Sequence, residues 1–190
     1  MPAREPSDEA LACRFTEGDA AAFDELVLRH RNAVYRFVRA RLGLPRPDAE
    51  DLTQDVLLQV YRCLHRYEGR ARLRSWILGI AANLCRQYRR SRRLGPAHDG
   101  PEALRELPDV GPGADLLLAR CELDAAVRAA IDELGPEHRC AVLLRDVEGL
   151  SYLEIADVLQ VPLGTVRSRL HNARASLAER LLPLARKERC

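Results

Sequence analysis

Lysine is all but missing from this 190-residue chain: Lys187 is the only one. The cationic charge is therefore arginine, and it is nearly balanced, 30 basic residues against 28 acidic ones for a net charge of +2. Arginine offers a planar fork suited to phosphates and base edges, although GC-rich coding explains the same bias equally well. Aromatics are scarce at 5%, with a single tryptophan, Trp76. No apolar run approaches the ~20 residues a membrane span needs, and the polar, acidic N-terminus does not read as a signal peptide. The expectation is a cytoplasmic protein with no membrane insertion of its own. Six cysteines are present, but no two lie closer than nineteen residues. That spacing excludes CxxC pairs and zinc-finger sites, so all six read as reduced thiols. Alternating, strand-like runs are also rare. Ala, Leu, Arg and Glu dominate, and the chain reads as all-α.

Catalytic signals are missing as well. There is no nucleophile with a nearby base, no phosphate-cradling Gly loop, and no His/Asp/Glu cluster at ligand spacing. His30, His65, His98, His138 and His171 are scattered. The chain is expected not to be an enzyme and to need no cofactor or metal.

What is present is a pattern of helices in two groups. Residues 1–17 read as a lead-in with a short helix from Ser7. Asp19 caps a helix ending at Gly43, with Phe23, Leu26, Val27, His30, Val34, Phe37, Val38 and Leu42 facing inward. Leu44-Pro45-Arg46-Pro47 is a breaker, and Asp48 is the expected cap of the next helix. That helix turns Leu52, Val56, Val60, Cys63, Leu64 and Tyr67 inward. Its outer side carries Asp51, Gln54, Asp55, Gln59 and Arg62. The helix macrodipole accounts for acids in a first turn, and Asp55 falls beyond it. A Gly-bearing basic loop precedes a third helix, SWILGIAANLCRQYRRSRR, with Trp76, Ile77, Ile80, Ala81, Leu84 and Tyr88 at core spacing. From Arg66 to Arg93 there are nine arginines and one acid, Glu68. Helix-end capping explains Arg89 to Arg93. It does not explain Arg70, Arg72 and Arg74, which suit a nucleic-acid surface.

Residues 94–113 are rich in Gly and Pro and read as a linker. Leu123, Val127, Ile131, Leu134, Val142 and Leu143 then form the stripe of a second bundle. It ends in GLSYLEIADVLQVPLGTVRSRLHNARASLAERLL. Ser151 with Glu154 makes a capping box, Pro162 is placed for the first turn of a new helix, and the whole reads as a helix-turn-helix. Leu150, Ile155, Ala156, Leu159, Val161, Val166, Leu170, Ala173 and Leu177 form its apolar stripe. The face left over carries Arg167, Ser168, His171, Asn172 and Ala175, flanked by Arg169 and Arg174. These side-chain types hydrogen-bond base edges and phosphates. Gln160 stands at the joint, where glycine is common, so a left-handed backbone there carries strain.

Five motifs in order carry a family resemblance: GDAAAFDELVLRHRNAVYRFVRARLG, DAEDLTQDVLLQVYRCLHRYEG, RSWILGIAANLCRQYRRSRR, LGPEHRCAVLLRDVEGLSYLEIADVL and VPLGTVRSRLHNARASL. The chain resembles the extracytoplasmic-function (ECF) sigma factors of bacterial RNA polymerase. The resemblance implies sigma domain two over residues 18–93, a linker over 94–120, sigma domain four over 121–184 and a tail over 185–190. It implies core RNA polymerase and promoter DNA as partners, and an anti-sigma factor, often membrane-anchored, as regulator. Asp51, Gln54, Asp55 and Gln59 would contact the polymerase. The segment Tyr67–Arg93 would engage and melt the minus-ten element. There Arg70, Arg72, Leu73, Arg74 and Asn83 would select bases, and Arg86, Arg89 and Arg90 would clamp phosphates. Many relatives carry an aromatic where this chain has Leu73. Arg167, Ser168, His171 and Asn172 would read the minus-thirty-five element, with Arg169, Arg174 and Arg145 on phosphates. The alternative is an autonomous helix-turn-helix regulator. Such a protein needs a dimer surface to match a palindromic site, and no extra apolar face is visible.

Overall fold

The computed structural model describes residues 5–93 and 126–187. The linker expected at 94–113, and Leu123 with it, lie outside the described residues. Among the described residues every regular element is helical.

The first group holds four helices. Helix α1, Asp8–Thr16, is capped by Ser7, whose hydroxyl accepts from the Ala10 amide at 3.2 Å. Helix α2, Ala20–Leu42, is capped by Asp19 and stops at Gly43, which takes the left-handed conformation (φ 64°, ψ 28°) that glycine adopts without a Cβ penalty. Helix α3 spans Arg46–Cys63 and passes into a 3-10 turn, Leu64–Arg66. The expected cap at Asp48 is corrected: Pro45 is the N-cap, and Pro47 sits in the first turn, where its fixed φ is already helical. Helix α4 spans Leu73–Arg93.

The second group holds α5 (126–132), α6 (Pro136–Val142) with a π-turn continuing it over Leu143–Val147, α7 (Tyr152–Leu159) and α8 (Leu163–Lys187). The capping box at α7 is complete. Ser151 Oγ accepts from the Glu154 amide at 3.2 Å, and the Glu154 carboxylate accepts from the Ser151 amide at 2.8 Å. Gln160 ends α7 in the left-handed region (φ 56°, ψ 52°), as the sequence led us to expect. Thr165 and Val166 bond back to the Pro162 carbonyl and open α8.

Periodicity placed most of the core. Leu26, His30, Val34, Phe37 and Val38 on α2, Leu52, Val56 and Val60 on α3, and Ile155, Leu159, Val166, Leu170 and Ala173 in the helix-turn-helix are buried. It placed less of α4, where Leu73, Leu78, Ala82 and Cys85 are buried in addition to Ile77 and Ala81. The cause is tertiary: α4 packs against α2 and α3 and also against α7, so a single stripe does not describe it. Trp76, expected in the core, is half-buried with its ring 5.5 Å from that of Tyr67. One continuous apolar cluster runs from Leu11 through Cys85 to Ala173, so the two groups share a core.

Candidate nucleic-acid interface

The helix-turn-helix face is presented as its spacing dictates. With Val166, Leu170 and Ala173 buried against the second group, Arg167, Ser168, His171, Asn172 and Arg174 stand exposed on α8. Arg167, His171 and Arg174 line a shallow groove with Tyr152, Leu170 and Ala175. Ser168 Oγ donates to the Thr165 carbonyl at 3.0 Å, leaving its lone pairs toward solvent. Arg174 bonds Asp146 at 2.6 Å, and that bond raises its already high pKa. Arg145 donates to the Leu150 carbonyl at 2.8 Å and lies 5.2 Å over the Tyr152 ring, which fixes the turn leading into α7. Arg169 differs from its neighbours. It is 19% exposed and turns to Glu137 at 2.6 Å, so in this state it serves packing rather than the exposed face.

The basic segment of the first group divides in two. Arg70, Arg72, Asn83 and Arg90 are exposed. Arg70 pairs with Glu68 at 2.5 Å, and Arg86 donates to Asn83. Arg89 is half-buried and donates to the Arg41 carbonyl at 2.8 Å. Leu73 requires a correction. It is fully buried in the first turn of α4 and offers no surface to a base. Arg74 reaches Glu148 at 3.1 Å, in the second group. A cleft of about 410 Å³ is lined by Ser75, Trp76, Asn83 and Arg86 on α4 and by Glu154, Asp157 and Gln160 on the α7 side.

On α3, Asp51, Gln54 and Asp55 are exposed. Gln59 is half-buried and donates to Cys63 Sγ at 3.1 Å. Leu58 and Tyr61 are exposed on the same helix, at 54% and 51%. Sequence periodicity passed over these two because they lie outside both the buried stripe and the acidic set.

What the residue reading missed is a seam of ion pairs between the groups. Arg36 meets Glu148 at 2.6 Å, Arg41 meets Glu137 at 2.6 Å, and Ser75 Oγ lies 2.7 Å from Glu154 Oε1. Burial raises the Glu154 carboxyl, but the bonds from Ser151 and Ser75 outweigh it and leave the pKa lowered. The available signal was three glutamates, 137, 148 and 154, in a group otherwise expected to present arginine to DNA.

Residues 26–94 match the family described as Sigma-70 region 2, and residues 124–177 the one described as Sigma-70, region 4. The ECF RNA polymerase sigma factor SigE of Mycolicibacterium smegmatis is 40% identical over 182 residues, covering 93% of this chain and 70% of its own length. The ECF RNA polymerase sigma-E factor of Escherichia coli is 31% identical over 189 residues, covering 95% and 97%. A solved structure of CnrH in complex with the cytosolic domain of CnrY is similar at a TM-score of 0.62 and 28% identity, covering 94% of this chain and 99% of that one. The sigma factor RpoE of Bartonella quintana, solved with the anti-sigma factor NepR, shares the fold at a TM-score of 0.64 and 23% identity, covering 84% and 96%. Two regions in the right order, and relatives matched over 70% and 97% of their own length, settle the family: the chain belongs to the ECF sigma factors of RNA polymerase.

Proposed function

We propose that this sigma factor brings core RNA polymerase to its promoters by holding two separate DNA elements, and that it performs no chemistry of its own. The observation that carries this reading is the α8 face, where Arg167, Ser168, His171 and Asn172 are all exposed beside a capped helix-turn-helix joint. Residues 18–93 act as domain two and 121–184 as domain four, joined by a linker over 94–120. Arg167, Ser168, His171 and Asn172 read the upstream element in the major groove, and Arg174 holds phosphate. Arg70, Arg72, Arg74, Asn83, Arg86, Arg89 and Arg90 engage the minus-ten element. Holding a base out of the stack costs a few kcal/mol, which contacts to phosphate and to the flipped base offset. Because Leu73 is buried, stacking falls to Trp76, which borders the cleft half-exposed.

Asp51, Gln54 and Asp55 form the polymerase-facing surface, with Leu58 and Tyr61 beside them. The protein acts in the cytoplasm, where its polymerase and DNA are. No described helix is long and apolar enough to cross a membrane. CnrH is solved with the cytosolic domain of CnrY and the sigma factor RpoE with the anti-sigma factor NepR, which supports an anti-sigma partner for this chain too.

Run-off transcription with purified core polymerase and genomic fragments tests the proposal. Discrete transcripts that depend on added protein are the expected result. Random starts with and without it would refute the reading. Tight binding of specific duplex by the protein alone, with a dissociation constant of about 10⁻⁸ M or better, would favour the autonomous regulator instead.

A further inference from the structure

The arginines of the basic segment are not spread evenly along α4. Arg89 and Arg90 follow Arg86 by three and four residues, so one face of the helix carries all three. Arg41, in the last turn of α2, joins them. The four side chains line a pocket of about 200 Å³ together with Cys85. All five residues belong to the first group.

The charge around this pocket is not balanced. Arg86 donates to the Asn83 amide oxygen, and Arg89 donates to the Arg41 carbonyl at 2.8 Å. Both acceptors are neutral. Arg90 is exposed. The ion pairs nearby involve other residues: Arg41 meets Glu137, and Arg92 meets Asp48. Among the described residues, no carboxylate pairs with Arg86, Arg89 or Arg90. Even Arg41 is only partly compensated. Glu137 is shared with Arg169, whose Nη1 is buried without an acceptor among the described residues. The Cys85 thiol adds no negative charge. Burial pushes its pKa up to about 12 against the pull of Arg41, Arg89 and Arg86.

Helix-end chemistry accounts for part of this. Cations suit a helix C-terminus, which covers Arg41, Arg89 and Arg90. It does not cover Arg86, two turns before the end of α4, nor the meeting of all four in one hollow. Charges of one sign focused in a concavity raise the local concentration of counter-ions. Guanidinium groups bind phosphate oxygens through paired N–H donors. A backbone phosphodiester brings a single negative charge. A diphosphate brings more in little more space, and so answers three uncompensated guanidinium groups better.

We propose that the pocket of Arg41, Arg86, Arg89 and Arg90 binds the diphosphate group of a small phosphorylated molecule. Arg41 is the residue that sets this site apart from the promoter contacts proposed above. A diphosphate seated there occupies three arginines assigned to the minus-ten strand and competes with that strand. The competition rests on that assignment, whereas the site itself is a statement about the protein alone.

Calorimetric titration of the full chain with inorganic pyrophosphate, in metal-free buffer of low ionic strength, is the test. One saturable site per chain is expected, with orthophosphate bound about tenfold more weakly because fewer charge-assisted bonds form. Arg90→Gln alters an exposed side chain, leaves the fold intact and is expected to weaken pyrophosphate binding by about tenfold, the loss of one such bond. Arg41→Gln is expected to do the same with helical circular dichroism unchanged. Its binding of a fluorescent single-stranded oligothymidylate is expected to change by less than about twofold, since Arg41 lies outside the set that holds the strand.

No saturable site in the wild-type chain overturns the proposal, and so does an affinity that neither variant alters. Equal loss of pyrophosphate and oligothymidylate binding in Arg41→Gln also overturns it, because the pocket would then hold only a backbone phosphate. Should the wild-type chain fail to direct run-off transcription, the proposed function falls. The pyrophosphate titration contains neither polymerase nor DNA and still decides whether the site exists.

Discussion

Position decides what each arginine does, even between residues two apart. Arg167 is exposed on α8, whereas Arg169 is 19% exposed and bonded to Glu137. Arg167→Ala is expected to weaken upstream-element binding by ~1–3 kcal/mol and relax specificity at one position. Footprinting at that element, with thermal stability unaltered, is the check. Arg169→Ala is expected to lower the unfolding midpoint instead, because it strands Glu137 at the seam with one partner.

His30 is a second case where burial decides. It is 1% exposed, with Nε2 2.8 Å from Asp8. Burial lowers its pKa from 6.5, Arg74 and Arg29 push the same way, and Asp8 opposes them. The unfolded chain thus binds the proton more readily than the folded one. The stability held by neutral His30 is complete above pH 6.5 and is lost as pH falls through the lowered value. Thermal melts between pH 8 and 5 are expected to show this loss, and a His30→Leu chain to lack that component. The sequence made His30 a core position by spacing alone. It did not reveal the charges around it, since Asp8 and Arg74 come from other helices.

Among the elements, the helix-turn-helix joint is the most exposed to test. Ser151→Ala removes the hydroxyl that accepts from Glu154 N and is expected to cost about 1 kcal/mol, read by denaturant unfolding. Gln160 sits at φ 56°, where a Cβ is penalised. Its side chain recovers part of that by donating to the Asp157 carbonyl at 2.6 Å. Gln160→Gly is therefore expected to raise stability only modestly, by ~0.5 kcal/mol, the strain relief being reduced by the freedom glycine adds to the unfolded chain. Local chemistry of this kind was legible in advance. Ser7, Asp19 and Ser151 cap as their residue types demand, because a cap depends only on neighbours two or three residues away. Asp48 is not the cap for a local reason too: Leu44-Pro45-Arg46-Pro47 reads as a breaker, yet a proline in the first turn starts a helix as well as it stops one. Leu73 and Leu78 escaped the periodic pattern for a non-local reason: α4 packs on α2, α3 and α7 at once, so its buried surface is wider than one stripe.

Across the whole molecule, the seam pairs residues 74 to 112 apart in sequence, and no periodicity encodes such partners. The surface proposed to meet the polymerase belongs to a different element of the first group. Helix α3 packs on α2 and α4 and leaves Asp51, Gln54 and Asp55 in solvent. Asp55 has no role in the helix dipole and no buried neighbour to satisfy, so its charge is free to serve a partner. Asp55→Arg is expected to abolish co-purification with core polymerase and to change folding stability by less than about 0.5 kcal/mol. It is also expected to leave the closed radius of gyration of the free protein as it was, because Glu148 and its two arginines are untouched. A variant that lost polymerase and also expanded would mean that α3 and the ion-pair seam are coupled. A variant that kept polymerase would place the contact on Leu58 and Tyr61 rather than on the acids. Loss of polymerase with the radius and the seam of Glu148, Arg36 and Arg74 intact is the outcome that assigns docking to the acids of α3 alone, because it removes the partner without disturbing how the two groups pack.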